Sequence, residues 1–399
     1  MKARYQYRIY PTDQQRKLLA QLFGCVRVVW NDALNLCKVS GGYIKPADLQ
    51  KICITMAKKS AERSWLSDVS NIPLQQSIND LGAAYKNFFE SLKRKGIKVK
   101  PPRFKKKSGR QSARFTRGGF SIKGNKVYLA KIGKLKTIWS RPLPFEPSSV
   151  TVIKNAAGQY FLSFVVEVEQ ISVEPVRPSV GVDFGIKTFA FLSTGEKVES
   201  PGYDRLDRKI RRFQRKLARQ VKGSKRRERT RLRIAKLHLK VSNIRKDFLH
   251  KTTTKLIREN QTVCLENLGV AGMLRNRKLS RAISQQGWSS ARTMCEAKAE
   301  RYQHRSVAVI SRWEPTSQVC SCCGFRWGKL DLSVRSILCI SCGAEHDRDE
   351  NAARNIEKSG VELSQDSKWT GSGHKTSFGA IRDELSTHLE DKQLRLFTC

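Results

Sequence analysis

The string "HDRDENAARNI", residues 346 to 356, follows two cysteine pairs, Cys320 with Cys323 and Cys339 with Cys342, in a chain of formal net charge +42. Each pair has two residues between its cysteines, and the pairs enclose a 15-residue loop. This is the spacing in which two knuckles converge on one tetrahedral zinc ion. Four thiolates close the coordination sphere and leave no position for water, so such an ion shapes structure and performs no chemistry. Cys322 lies inside the first pair and can stand in for a neighbour, but only Cys320 and Cys323 reproduce the spacing. Directly after this ribbon come Asp347, Asp349 and Glu350, carboxylates in a chain otherwise dominated by cations.

With 399 residues and a hydrophobic fraction of 39%, the chain can form two or three domains with a sizeable core. Lys and Arg number 77 against 35 Asp and Glu, an excess spread over several segments, which implies a polyanionic partner. Nucleic acid and an anionic membrane surface are the candidates. No apolar run approaches the ~18 residues of a spanning helix. The N-terminal "MKARYQYRIYPT" alternates charge with aromatics and has no apolar stretch of the signal-peptide kind. The expectation is a cytosolic or nucleoid-associated protein without a membrane partner. Of eleven cysteines, five lie between Cys320 and Cys342, which favours metal binding over a disulfide scaffold. The others, Cys25, Cys37, Cys53, Cys264, Cys295 and Cys399, read as small buried hydrophobes or incidental thiols.

Residues 4 to 10, "RYQYRIY", alternate like a strand, and Pro11-Thr12-Asp13 then supplies a stop and a helix N-cap. A second helix is expected from near Pro73, where Leu74, Ile78, Leu81, Tyr85, Phe88, Phe89 and Leu92 share one stripe and read as core. Between Glu90 and Glu146 there is no acidic residue, and "KRKGIKVKPPRFKKKSGRQSARFTR" mixes cations with Phe104 and Phe115. A field of one sign repels itself without a polyanion, so this stretch reads as phosphate-binding through Lys93, Arg94, Lys95, Arg103, Lys105, Lys106, Lys107, Arg110 and Arg114. From about 118 to 170, glycine turns separate short β-rich runs, which predicts a small antiparallel barrel or sandwich to which the N-terminal strand returns.

After "VEPVRPS" a second domain begins near 177, with "VGVDFGIKTFAFLSTGEKV" read as two strands joined at Thr194-Gly195. Residues 204 to 258 predict two long amphipathic helices packed as a hairpin, their Arg/Lys faces laid along a nucleic-acid backbone. Short buried strands at 261–270 and 306–313 flank a helix near 284–304, which makes this half an α/β layer. The polar stretch after Gly360 reads as a mobile tail.

Asp183 ends an apolar strand in "VGVDFGIK", Glu266 lies near the end of "TVCLENLG", and Asp349 opens the last helix. Singly, each has an ordinary explanation: a turn aspartate, a strand-end ion pair, or a helix cap that Asp347 or Asp349 can provide. Together, three acids at the ends of core elements in a cationic chain can share two Mg²⁺ ions, which would offset their mutual repulsion. Two such ions ~3.5 to 4 Å apart activate a water and stabilise the leaving oxygen in phosphodiester hydrolysis.

The strings "YRIYPT", "VRVVWNDALN", "PLQQSINDLGAAYKNFF", "PPRFKKK", "GVDFGIK", "LENL", "PTSQVCSCCGF", "CISCG" and "HDRDENAARNI" resemble those of the TnpB family, the RNA-guided nucleases of insertion sequences, over residues 4 to about 358. The resemblance implies a multidomain α+β protein: a β-barrel wedge domain (1–12 and 95–176) interrupted by a helical recognition domain (13–94), then a RuvC-like, RNase H-like α/β nuclease domain (177–315 and 346–360) with an inserted zinc ribbon (316–345) and a tail (361–399). It implies the catalytic and Mg²⁺-binding acids Asp183, Glu266 and Asp349, one zinc on Cys320, Cys323, Cys339 and Cys342, and Arg348 on phosphate. Asp349 is preferred to Asp347 because it directly precedes Glu-Asn-Ala-Ala. Its implied partners are a guide RNA transcribed from the transposon end and a double-stranded DNA target with a short flanking motif. "GVDFG" departs from relatives with Ile and Leu around this aspartate, which changes packing and keeps the acid. The competing expectations are a guided DNA binder that represses without cutting, a compact CRISPR effector of similar design, and a strand-joining transposase, whose His-hydrophobe-His and tyrosine arrangement the sequence lacks.

Overall fold

A computed structural model describes residues 1–94, 99–331 and 333–369, with side chains to residue 365. The chain divides into two compact units, Met1–Val168 and a second from Glu169 onward.

In the first unit, strand β1 (Lys2–Ile9) leads into helix α1 (Asp13–Val39). Thr12 caps this helix: its side chain accepts from the Gln15 amide while the Gln15 side chain accepts from the Thr12 amide, a reciprocal capping box. A short helix α2 (Pro46–Gln50), a π-helical segment (Lys51–Met56) and two 3₁₀ segments (Ala57–Lys59 and Ser64–Asp68) precede α3 (Asn71–Lys93), whose Leu74, Ile78 and Leu81 are fully buried. Strands β2 (Gln111–Thr116), β3 (Phe120–Lys123), β4 (Lys126–Leu129), β5 (Gly133–Ile138), β6 (Ser149–Lys154) and β7 (Tyr160–Glu167) follow.

With β1 they form one antiparallel sheet ordered β2-β6-β7-β1-β5-β4-β3, so the N-terminal strand does return, between β7 and β5. Phe120 on β3 lies 6.5 Å from Phe164 on β7, four strands away in the ladder. Flat strands would hold those positions about 19 Å apart, so the sheet curls around its core. Tyr7, Trp139 and Phe164 pack ring against ring inside the curl, and each ring removes ~150–250 Å² from water.

The second unit carries β8 (Arg177–Phe184), β9 (Ala190–Leu192), β10 (Lys197–Val198), β11 (Asn260–Glu266) and β12 (Ser306–Ile310) in the order β10-β9-β8-β11-β12. The first three run antiparallel, whereas β8, β11 and β12 are parallel. The chain after Asp183 thus turns twice, once at Gly185–Phe189 and again at Thr194–Gly195, where the sequence suggested a single turn. A second turn was hidden because the apolar run continues through Phe189, which is buried.

Helices α4 (Asp204–Ala218) and α5 (Lys225–Glu259) form the expected hairpin. The few acids are used internally: Asp207 pairs with Arg281 and Gln285, and Glu228 with Arg231, which leaves most hairpin cations to solvent. The helix expected near 284–304 is broken. After the short α6 (Val270–Met273), α7 (Ser280–Gln286) and α8 (Trp288–Ala299) meet at Gly287, whose φ of 74° ends one helix and starts the next. A small hairpin, β13 (Ser336–Leu338) and β14 (Glu345–Asp347), precedes the long helix α9 (Arg348–Trp369), which continues nine residues into the stretch read as a tail.

Helix α9 lies directly on the sheet because two glycines permit it. A Cβ on Gly181 of β8 would fall 1.9 Å from the Ala353 carbonyl oxygen, and one on Gly360 would fall 2.5 Å from Cys264 Sγ. The buried cysteines Cys25, Cys37, Cys53, Cys264 and Cys295 serve as small core groups, whereas Cys399 lies outside the described residues. Among the described residues, no helix is long and apolar enough to cross a membrane.

Candidate functional site

The strand register brings two of the acids together. Val182 of β8 pairs with Leu265 of β11, so the next residues, Asp183 and Glu266, stand side by side at the same end and on the same face. Adjacent strands lie ~4.8 Å apart. Helix α9 runs against β8 with Ala353 over Gly181, and Asp349 is one helical turn before Ala353. Going two residues along the strand, or four back along the helix, covers about 6–7 Å in the same direction. Asp349 therefore arrives at the strand end that carries Asp183.

Electrostatics register this convergence. Burial, then the Glu266 and Asp349 charges, push the Asp183 carboxyl up to about 7 against a partial offset from Arg348. Burial also raises Glu266. The three carboxylates do not close to within 4.8 Å as a single ligand group, since Asp349 Oδ2 instead accepts from Arg335 Nη1 at 2.8 Å. A buried carboxyl with two acidic neighbours and a raised pKa is what a divalent cation would relieve, so the donor set fits such an ion.

Asp347 and Asp349 differ in what they do at the start of α9. Asp347 Oδ1 accepts from the amides of Asp349 (2.9 Å) and Glu350 (3.3 Å), so Asp347 is the helix cap and Asp349 is not consumed by that role.

In the ribbon, Cys320 Sγ lies 3.7 Å from Cys342 Sγ, and Cys323 Sγ 3.6 Å from Cys339 Sγ, with all four within 4.8 Å. Zn–S bonds of ~2.3 Å arranged tetrahedrally place sulfurs ~3.8 Å apart, so the cluster fits zinc. The two knuckles repeat one another. Cys320 and Cys339 each accept the amide of a following glycine, Gly324 or Gly343, with φ of 78° and 71°. A side chain at either glycine would be strained. The Phe325 amide draws the Cys323 thiol down to about 6. Cys342, although it meets the Ala344 amide, is pushed up to about 12 by the surrounding sulfurs. Four such thiols need a cation to ionise together.

The sequence reading missed several residues here. His346 Nε2 lies 3.1 Å from Cys320 Sγ, and with Cys320 and Cys322 it forms a second possible ligand trio. Asn351 and Asn355 fasten the ribbon to α9: Asn351 accepts from the Ser321 amide and donates to Val319 O, and Asn355 donates to the carbonyls of Thr316 and Val319. Asparagines four apart on the face of a predicted helix, within "DENAARN", were the available signal. Arg348, expected on phosphate, donates to Asp331 O at 2.6 Å.

The basic stretch is partly docked in its own unit. Trp30 Nε1 donates to Arg103 O, Asn31 both accepts from and donates to the Lys105 backbone, and Lys105 Nζ sits 3.6 Å over the Trp30 ring. Arg94 pairs with Glu90 and Arg114 with Asp80. Lys93, Arg103, Lys105, Lys106, Lys107 and Arg110 are exposed, whereas Lys95 lies outside the described residues.

Replacing Cys339 with serine is expected to lower zinc content towards zero and to melt the 316–345 segment, because ion binding and local folding are coupled. Metal analysis that finds a full equivalent of zinc in the variant would contradict this.

A pH test follows from Asp183. Its folded pKa exceeds its ordinary 3.8, so the cation-free protein loses stability as pH rises from ~4 to ~7 and levels off above. Asp183→Asn is then expected to gain in Tm relative to the parent over that window. A Tm difference that does not vary with pH would overturn it.

The fold and site together describe a two-unit α/β protein with converging acids and a four-cysteine ribbon. Comparison places it among proteins of transposable elements: a family described as "Probable transposase" matches residues 163–277, a "Helix-turn-helix domain" matches 1–40, and a "Cas12f1-like, TNB domain" matches 288–356. In the structure, residues 1–40 form a strand and one long helix. The chain is 42% identical to a provisionally named RNA-guided DNA endonuclease of Streptomyces pristinaespiralis, with 91% of this chain and 90% of that one covered. It is 31% identical to the similarly named InsQ of Escherichia coli K12, covering 89% and 92%. It is 27% identical to TnpB-like protein L770 of Acanthamoeba polyphaga mimivirus, covering 89% and 72%. Its fold is similar to a chain in the cryo-EM structure of a Cas12f1-sgRNA-target DNA complex, with TM-score 0.53, 14% identity and coverage of 89% and 98%. The chain belongs to the TnpB family.

Proposed function

We propose that the protein is the RNA-guided endonuclease of a transposable element, which cuts double-stranded DNA at Asp183, Glu266 and Asp349. The observation that carries this reading is the convergence of three acids from β8, β11 and α9 in a chain of net charge +42. Membership of a family whose named relatives are RNA-guided DNA endonucleases supports it. The strand order β10-β9-β8-β11-β12, with α9 packed on β8, supports a RuvC-like, RNase H-like nuclease domain. The curled seven-stranded sheet supports a β-barrel wedge domain with the helices of 13–94 inserted.

Asp183, Glu266 and Asp349 would hold two Mg²⁺ ions, which when bound would supply an activated water and stabilisation of the leaving oxygen of the phosphodiester. Asp183 and Glu266 hold adjacent positions on rigid strands, and Asp349 completes the set from α9 once its carboxylate is released by Arg335. The exposed cations of 93–110 and of the α4–α5 hairpin bind phosphates of guide RNA and target DNA, which makes binding fall with salt. The guide is an RNA transcribed from the transposon end, and base pairing reads the target beyond a short flanking motif.

The test is to purify the protein with its bound RNA and offer plasmids that carry the matching target beside a randomised flank, with Mg²⁺. Cutting confined to targets with one flank class is expected. Guide-dependent binding without cutting would leave a repressor instead.

A further inference from the structure

Trp313 is 86% exposed, the highest value among the described large hydrophobic residues. No aromatic or cation partner covers its ring among the described residues. Exposure alone is ordinary for a single apolar side chain, but an open indole offers a flat face on which a base can stack. Its position is informative. Strand β12 ends at Ile310, which is in register with Glu266, so Trp313 follows three residues beyond the strand end that carries the acids. The turn that holds it is ordered: the Trp313 amide donates to Ser311 Oγ, and Glu314 N donates to Ser311 O. Asn355 of α9 grips the next carbonyl segment at Thr316. The segment that follows Trp313 is thus tied at Thr316 to the helix that carries Asp349.

Beside it, Arg312 is exposed and makes no hydrogen bond or ion pair among the described residues. Its guanidinium reaches back over the loop that follows Glu266, where a Cβ on Gly269 would meet Arg312 Nη1 at 2.9 Å. Glu314, also exposed, is the one acid in this turn. An open indole next to an unpaired guanidinium is suited to one nucleotide, with the ring taking a base face and the cation its phosphate.

We propose that Trp313 stacks on an unpaired base of the target DNA strand entering the acids, with Arg312 on the adjoining phosphate, so that the pair fixes which phosphodiester reaches the carboxylates. Trp313 is a positioning residue. This rests on the nuclease reading, and its test is separable from that reading because it needs no cutting.

Guide-loaded protein in Mg²⁺-free buffer is mixed with target DNA that carries 2-aminopurine at successive positions of each strand. Quenching at one unpaired position is expected, absent in Trp313→Ala and retained in Trp313→Phe. A lost stack should weaken binding of DNA with an unpaired segment there roughly 5- to 150-fold. Tm should not change, because the side chain is outside the core. Unquenched fluorescence at every position, or equal affinity in Trp313→Ala, overturns the proposal even if wild-type protein cuts. Quenching that depends on Trp313 upholds it even if wild-type protein does not cut. A Trp313 dependence found only when the labelled strand is RNA, or a change only in oligomeric state, also overturns it.

Discussion

Asp349→Ala is expected to reduce cleavage on the order of 10³-fold while binding of guide and target persists. The change removes one carboxylate from the converging set, and a lost charge-stabilising ligand costs about 4 kcal/mol of transition-state stabilisation. The fold has little reason to fail. Asp347 keeps the helix cap, Asn351 and Asn355 keep the ribbon on α9, and the Asp349 side chain is partly exposed, so its removal opens no core cavity. Asp183→Ala and Glu266→Ala should behave alike. Asp347→Ala offers the contrast: it removes a cap, costs ~1 kcal/mol of stability, and should cut nearly as well. Plasmid cleavage measured beside gel-shift binding separates these effects. Undiminished cleavage in all three acid variants would end the nuclease assignment, and a larger loss in Asp347→Ala than in Asp349→Ala would reverse the choice of third acid.

The second large effect is on folding. Gly181→Ala puts a methyl 1.9 Å from the Ala353 carbonyl oxygen and 2.7 Å from the Glu357 amide nitrogen. Both are backbone atoms of α9, so no side-chain rotation can relieve the clash. Either α9 lifts off the sheet or β8 distorts, and the expected cost exceeds about 4 kcal/mol, in the exceptional range for one substitution. Gly272→Ala is a suitable control, since nothing lies within 4 Å of an added Cβ there. Thermal unfolding should show Gly181→Ala losing the second unit's transition or lowering it by many degrees, with Gly272→Ala unchanged. Equal Tm values would mean that α9 does not lie where the structure puts it.

Much of this arrangement was legible in the sequence because its signals are local. Cysteine spacing, the Thr12 cap, the β-period of 4–10 and the acids at the ends of apolar runs each depend on a few neighbouring residues. What escaped depends on distant partners. Gly181 reads as an unremarkable strand glycine until Ala353 is set upon it, 172 residues later in the chain. Arg335 looks like one more cation in a basic protein, and only tertiary structure puts it on Asp349. Arg114, expected among phosphate-binding groups, has an acid partner in Asp80 on another element. The break at Gly287 was obscured because Ile283, Trp288, Ala291 and Cys295 keep an apolar pattern across it.

The use of α9 as the last element laid on the first strand of its sheet also has a consequence during synthesis. The first unit is complete once Val168 has emerged, for β1 then has its partner β7. Asp349 is translated much later, and at ~5–20 residues per second the interval is roughly 10–40 s. On the proposed function, a nascent chain would thus carry its basic first unit before Asp349 completes the proposed set of acids. In that proposal the guide is transcribed from the same element, so the protein would meet that RNA while still harmless to the DNA from which both are made.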